Sequence, residues 1–357
     1  VSPWSIDKVA VSDYIPTSQR CYTNTMHGAV SKILRTVIGV GILILSSSVD
    51  LGAQSRKVRV AMPGYTIAGL SFLTAKLNGY YAGEGLDVEL IAMRAPTANL
   101  AVLSGSVEFS TVPLVGLNTA LRGGALKVIM VHFDKPQHVL FVKKELQNLQ
   151  LLRGKKLAVS GPGVIDDLLL REVLAANGVD ANREVTILTL GSADTRVTSL
   201  ITGTVDGAMI IAPFTFTAKD NGFRELVVFK DQGVLLASGG IVARDEMLRS
   251  DPLLAERFVR ASMMGFIHSR DNRNGAIRVL TKSLKIDESI AAKVYDSSRP
   301  TMTADGTLSD DSQKKMAAFV AKTAGLKDIA PVERVFDFSF VRKSHAALHA
   351  KGWQPGS

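Results

Sequence analysis

Apolar and polar side chains alternate over residues 57–62, the period-two pattern of a half-buried strand. Pro63-Gly64-Tyr65 breaks that strand, and Leu70, Leu73, Leu77 and Tyr81 then recur at helical spacing until Gly83 and Gly85 close the helix. A second strand is expected over 86–91, a short helix over 97–103 and a third strand over 107–111. Pro113 opens another helix, which carries Arg122-Gly123-Gly124. Residues 126–132 are almost continuously apolar, as in a strand covered on both faces.

The same order is written a second time. Gly64 answers to Gly163 and Asn78 to Asn177 at a spacing of 99, and Gly105 answers to Gly203 and Glu108 to Asp206 at a spacing of 98. Both copies, 59–108 and 157–206, read as strand, Pro/Gly loop, helix, strand, short helix, and a strand introduced by Gly-x-Val-(Glu/Asp). Such units call for a parallel sheet with right-handed crossovers, and two of them predict two similar lobes facing one cleft. Ligands of open α/β sheets bind at the carboxyl ends of the strands, so the site is expected there.

A strand at 137–143 precedes the second copy and a Gly-Gly strand at 238–243 follows it, which predicts a two-stranded hinge. Lobe I is then expected to comprise 57–143 and 239–357, and lobe II 144–238. Beyond Asp251-Pro252 the pattern is helical, with Leu254, Phe258, Ala261, Met264 and Ile267 on one stripe.

The run 37–45 is apolar, follows Lys32 and Arg35, and leads into small residues up to Ala53. It is too short to span a bilayer and matches the core of a secretory signal. We expect a signal peptide over 26–53, cleaved near Ala53, residues 1–25 outside the mature protein, and delivery to the periplasm. The single cysteine, Cys21, lies upstream of that signal, so the mature chain has no disulfide, thiol nucleophile or lipid-bearing cysteine. The net charge of +9 is spread over mixed-sign helices such as 312–322, without a basic run or interleaved aromatic residues. No nucleic-acid partner is expected.

Enzyme signatures are absent: there is no Gly-x-Ser-x-Gly elbow, phosphate loop, His-Glu-x-x-His or cysteine metal spacing. No catalytic residue, metal ligand or cofactor is assigned. His345 and His349 stand four apart without an evident third ligand and read as a solvated helix face. His132, with Asp134 nearby, reads as a ligand contact at a strand end rather than as an acid/base pair.

The strand-end loops carry the candidate ligand contacts. In lobe I these are Gly64, Tyr65, Thr66, Pro96, Thr97, Pro113, His132 and Phe133; in lobe II they are Gly161, Gly163, Val164, Ser192, Pro213 and Phe214. Several precede helices, where backbone N–H groups and the hydroxyls of Thr66, Thr97 and Ser192 can hold an anionic group. Tyr65, Phe133 and Phe214 are expected to form an apolar or stacking wall. No Arg or Lys lies in these loops, and Asp166-Asp167 puts negative charge at the start of the second-lobe helix.

Leu103-Ser104-Gly105-Ser106-Val107-Glu108-Phe109, 121–128, 152–163 and Thr202-Gly203-Thr204-Val205-Asp206-Gly207-Ala208 carry a resemblance to the nitrate/sulfonate/taurine and thiamine-precursor family of substrate-binding proteins, over residues 57–300. The resemblance implies an α/β, two-lobed periplasmic-binding-protein fold of the second type. It also implies capture of a small organic solute, such as an organic acid, sulfonate or heterocycle, by a monomer that delivers it to an ABC permease in the inner membrane with its cytoplasmic ATPase. Two other readings belong to the same fold: a ligand-sensing lobe for a membrane receptor, and an enzyme like the thiamine-pyrimidine synthases. The latter rely on a cysteine-rich motif that the expected mature chain lacks.

Overall fold

A computed structural model describes residues 55–327 and 330–355. The expected signal peptide and the segment before it lie outside the described residues, and among the described residues no helix is long and apolar enough to cross a membrane.

Among the described residues, ten strands form two five-stranded sheets. The first contains β1 (Arg56–Met62), β2 (Leu86–Ala92), β3 (Phe109–Ser110), β4 (Leu126–Phe133) and β10 (Ser238–Arg244), in the order β2-β1-β3-β10-β4. The second contains β5 (Val139–Val142), β6 (Lys156–Val159), β7 (Thr186–Thr189), β8 (Gly207–Ile210) and β9 (Arg224–Val228), in the order β7-β6-β8-β5-β9. In each sheet the first three strands of the repeat run parallel, and one antiparallel strand enters between the third and the edge strand: β10 in one, β5 in the other. The two lobes thus share one topology.

The repeated Gly-x-Val-acid signature does the same structural work twice. Gly105 and Gly203 adopt φ of 75° and 72°, conformations open to glycine at little cost. The carboxylates that follow then reach back to the first strand of their own lobe: Glu108 accepts from the Arg59 amide at 2.6 Å, and Asp206 from the Lys156 amide at 2.9 Å. Each acid also pairs with a cation, Arg59 at 2.9 Å and Lys143 at 2.6 Å. Because Val107 and Glu108 are spent on this turn, the third strand shrinks from the expected 107–111 to Phe109–Ser110.

The helix expected from Leu70 to Gly83 is broken in two, Leu70–Leu77 and Tyr80–Gly83, by Gly79 at φ 71°. The long helix Pro252–Asp271 starts where Asp251-Pro252 predicts, with the Asp251 carboxylate accepting from the Leu254 amide at 3.1 Å. It buries Leu254, Phe258, Ala261 and Met264. Phe258 stacks on Phe109 with ring centroids 4.1 Å apart, and Gly265 lets the helix backbone approach Ser71, where a Cβ would stand 2.2 Å from the carbonyl oxygen.

The hinge is displaced from its expected place. β5 lies inside the second sheet instead of completing the first, and it does not pair with β10. The chain crosses at 134–138 and returns at 233–237, and the two crossings are joined by the Leu236 amide donating to the Asp134 carbonyl at 2.9 Å. Each crossing feeds directly into the antiparallel strand of the lobe it enters.

Candidate functional site

A cavity of about 150 Å³, lined mostly by apolar atoms, lies between the two sheets. Its walls come from the carboxyl ends of parallel strands in both lobes: Met62 to Gly64 after β1, Thr111 and Val112 after β3, Ser160 after β6, Gly191 and Ser192 after β7, and Ile211 after β8.

Four helices begin at this cavity: Ala95–Leu103, Pro113–Leu121, Ile165–Ala176 and Ala193–Ile201. None of their N-cap residues, Arg94, Val112, Val164 and Ser192, makes a side-chain capping bond. The first amides of a helix have no intrahelical acceptor and carry the positive end of its dipole, so uncapped starts favour an anionic group. In lobe I neither helix has an acid in its first turn.

Lobe II turns its acids on itself. Asp166 accepts from the Ser160 amide at 2.7 Å and the Ser160 hydroxyl at 2.6 Å, and Asp167 accepts from the Gly163 amide at 2.8 Å and pairs with Arg171 at 2.7 Å. The Asp194 carboxyl is held below its ordinary range, first by the Ser192 hydroxyl.

A cation does reach the cavity, from inside a helix rather than from a loop. Arg196, 3% exposed, lies on the buried stripe Ala193, Arg196, Val197 and Leu200. Long helical side chains lean back toward the helix start, which carries this guanidinium to the strand-end loops. Its Nε donates to the Met209 carbonyl at 2.7 Å and Nη1 donates to the Gly191 carbonyl, while Nη2 stands 3.7 Å from Asp166. Burial lowers its pKa, with Asp166 and Asp194 opposing, yet a guanidinium stays charged in a protein.

His138 also lines the cavity and is 6% exposed. Burial pushes its ring down to about 4, with the Asp166 carboxylate opposing and the Arg196 guanidinium adding to the effect. The imidazole is therefore neutral near pH 7.

Of the candidate contacts, Gly64, Thr66, Pro113, Val164 and Ser192 line this cavity. Tyr65 is 49% exposed outside the cavity lining. Pro96, Thr97, Gly161, Gly163, Pro213 and Phe214 are also outside the lining, their places taken by Ala95, Ser160 and Ile211. His132 and Phe133 are fully buried, and His132 lies between Phe72 and Phe266, with ring centroids at 4.8 Å and 5.5 Å.

The topology accounts for this. With β10 inserted beside β3, the end of β4 moves one strand away from the cleft, and the entry to β10, Ala237 to Gly239, stands in its place. In lobe II the entry to β5, at His138, holds the equivalent position. The residues missed by the loop rule are therefore Ser238, Gly239 and His138, together with Arg196.

The sequence profile of the NMT1/THI5-like family matches residues 68–274. The chain belongs to that family. No curated protein is similar enough to match it. Among solved structures, the ligand-binding component of an ABC-type import system from Staphylococcus aureus, with zinc bound, superposes with a TM-score of 0.68 at 15% identity, over 81% of this chain and 99% of that one. The alkanesulfonate-binding protein SsuA from Xanthomonas axonopodis pv. citri, bound to MOPS, gives 0.63 at 19% identity, over 81% and 97%. The desulfurization enzyme DSZB gives 0.62 at 14% identity, over 82% and 99%. At these identities the likeness establishes the two-lobed α/β fold, which carries both binding proteins and an enzyme.

Proposed function

We propose that this member of the NMT1/THI5-like family is a periplasmic solute-binding protein that captures a small organic anion between its lobes and hands it to an ABC permease with its ATPase. The observation that carries the reading is the convergence of uncapped helix starts and the buried Arg196 guanidinium on one apolar cavity between the lobes. Helix starts and a guanidinium supply donors and positive potential for a carboxylate or sulfonate, and the apolar walls take the organic body. The resemblance to nitrate/sulfonate/taurine binding proteins and the import component and SsuA among the structural neighbours support the same assignment.

Contacts across the cleft suit a protein that closes by hinge bending. Lys322, from the helix Asp310–Thr323 packed on lobe I, pairs with Glu172 of lobe II at 2.8 Å, and Lys230 of lobe II donates to the Ser297 carbonyl at 3.3 Å. A ligand touching both lobes favours the closed state by the difference in its affinity for the two states. A monomer is sufficient for this cycle.

An enzyme of the thiamine-pyrimidine-synthase kind is disfavoured because the described residues contain no cysteine. A thermal-shift panel of sulfonates, carboxylates, nitrate and thiamine-related pyrimidines tests the assignment. A ligand that binds only the folded state raises the midpoint by mass action. One class of organic anions that shifts the midpoint and is recovered unchanged is expected. Consumption of a hit, or no shift with any anion, contradicts the proposal.

A further inference from the structure

The site as described accounts for the anionic end of a ligand and leaves one of its own polar groups unused. The His138 ring lines the cavity and also a second pocket that it shares with Gln137, Thr215 and Lys230. Its Nδ1 is closed off from solvent without a hydrogen-bond partner among the described residues, and its Nε2, which is not closed off, makes no hydrogen bond there either. Its backbone is fixed: the carbonyl accepts from the Phe229 amide at 3.1 Å, and β5 begins at the next residue. The ring therefore sits at the crossing between the lobes on a strand entry, and Ala237 and Ser238 of the return crossing line the same cavity. The charged groups around it are Asp166 and Arg196. Asp166 is occupied by Ser160, and Arg196 gives two of its donors to backbone carbonyls.

A neutral imidazole offers one donor and one acceptor, and a buried polar group without a partner is costly, so the ring discriminates among ligands. A ligand with an uncharged hydroxyl, amide or ring nitrogen facing the hinge satisfies it. A ligand with a second carboxylate there puts a negative charge beside a neutral ring, near Asp166, in apolar surroundings. Size narrows the class further, because an apolar cavity of this volume accommodates about one benzene-sized group.

We propose that His138 is a specificity-determining residue of the cleft, and that the site takes a monoanionic organic acid about the size of one ring, bearing an uncharged hydrogen-bonding group that meets His138. This rests on the reading of the cleft as an organic-anion site.

The test is calorimetric titration of the full chain with benzoate, 3-hydroxybenzoate, 4-hydroxybenzoate, isophthalate, benzenesulfonate and 3-hydroxybenzenesulfonate. The wild type is compared with His138→Phe and His138→Gln. The wild type is expected to prefer a hydroxylated probe over its unsubstituted parent by about tenfold or more, and to bind isophthalate weakest. His138→Phe is expected to erase the preference, the ratio of affinities for the hydroxylated probe and its parent falling to about one, and His138→Gln to keep part of it.

A preference that survives in His138→Phe, or equal binding of parent and hydroxylated probe by the wild type, overturns the role of His138 and leaves the anion site standing. Failure of the wild type to bind any of these probes overturns this inference, while the organic-anion reading itself falls only if the wider thermal-shift panel also shows no binding. Should His138→Phe not fold, the ring ¹⁵N shifts of His138 in the wild type decide: they move with the hydroxylated probe and stay with the parent if the ring meets the hydroxyl, and an equal response to both overturns the role.

Discussion

His132→Phe tests how the first lobe handles a buried imidazole. His132 is fully buried between Phe72 and Phe266, neither ring nitrogen has a partner among the described residues, and burial pushes its pKa down to about 3 from an ordinary 6.5. The unfolded chain takes up a proton near pH 6.5 that the folded ring refuses until about pH 3. The stability tied to His132 is therefore fully present above pH 6.5 and is lost as pH falls toward 3, with a limiting slope of about 1.4 kcal/mol per pH unit. Between pH 7 and pH 5 that amounts to about 2 kcal/mol, a large share of the roughly 5–15 kcal/mol that holds a domain together.

Burial also lowers His138 and His268, which add losses of the same sign, but substituting His132 removes only its own share. Phenylalanine keeps a ring between the two aromatic neighbours and has nothing to protonate. Urea unfolding of both proteins at pH 7 and pH 5 should show the variant gaining on the wild type by about 2 kcal/mol on acidification. Equal acid losses in the two proteins would refute the claim that His132 is held neutral by burial.

Other consequences follow from the site and its frame. Arg196→Met should abolish anion binding and cost about 3 kcal/mol in urea, because Asp166 is left buried without its cation; adding Asp166→Asn should restore part of the stability and none of the binding. Asp206→Ala and Glu108→Ala should each cost about 0.5–1.5 kcal/mol by removing a turn hydrogen bond and a solvent-exposed ion pair, with ligand affinity measured by calorimetry unchanged. Glu172→Ala breaks a surface pair worth at most about 1 kcal/mol, so affinity should fall less than about fivefold while small-angle scattering of the free protein shifts toward the open form.

The frame was legible because local rules and the repeat agree. Period-two strands, the Gly-x-Val-acid turn and the Asp251-Pro252 helix start each depend on neighbours in sequence, and the acid's partner amide lies in its own lobe. Strand insertion was not legible: residues 137–143 read as a strand, but whether it completes the first lobe or enters the second is decided by the long-range pairing of β5 with β8 and β9. The insertion of β5 brought His138 to the cavity, and the matching insertion of β10 beside β3 moved His132 and Phe133 away from it and brought Ser238 and Gly239 in. Arg196 had a signal of its own, a charged residue on the apolar stripe of Ala193, Val197 and Leu200, and a charge on a buried face requires a partner or a ligand. It lies outside the strand-end loops, within the first turns of the helix Ala193–Ile201.

A crystal structure of the protein grown with the strongest anion from the binding panel tests the central claim most directly. The account predicts the acid group at the starts of the helices Pro113–Leu121 and Ala193–Ile201 within reach of Arg196, the organic body in the apolar cavity, and both lobes in contact with the ligand. A ligand bound away from this cavity, or held by one lobe alone with Arg196 untouched, would contradict it.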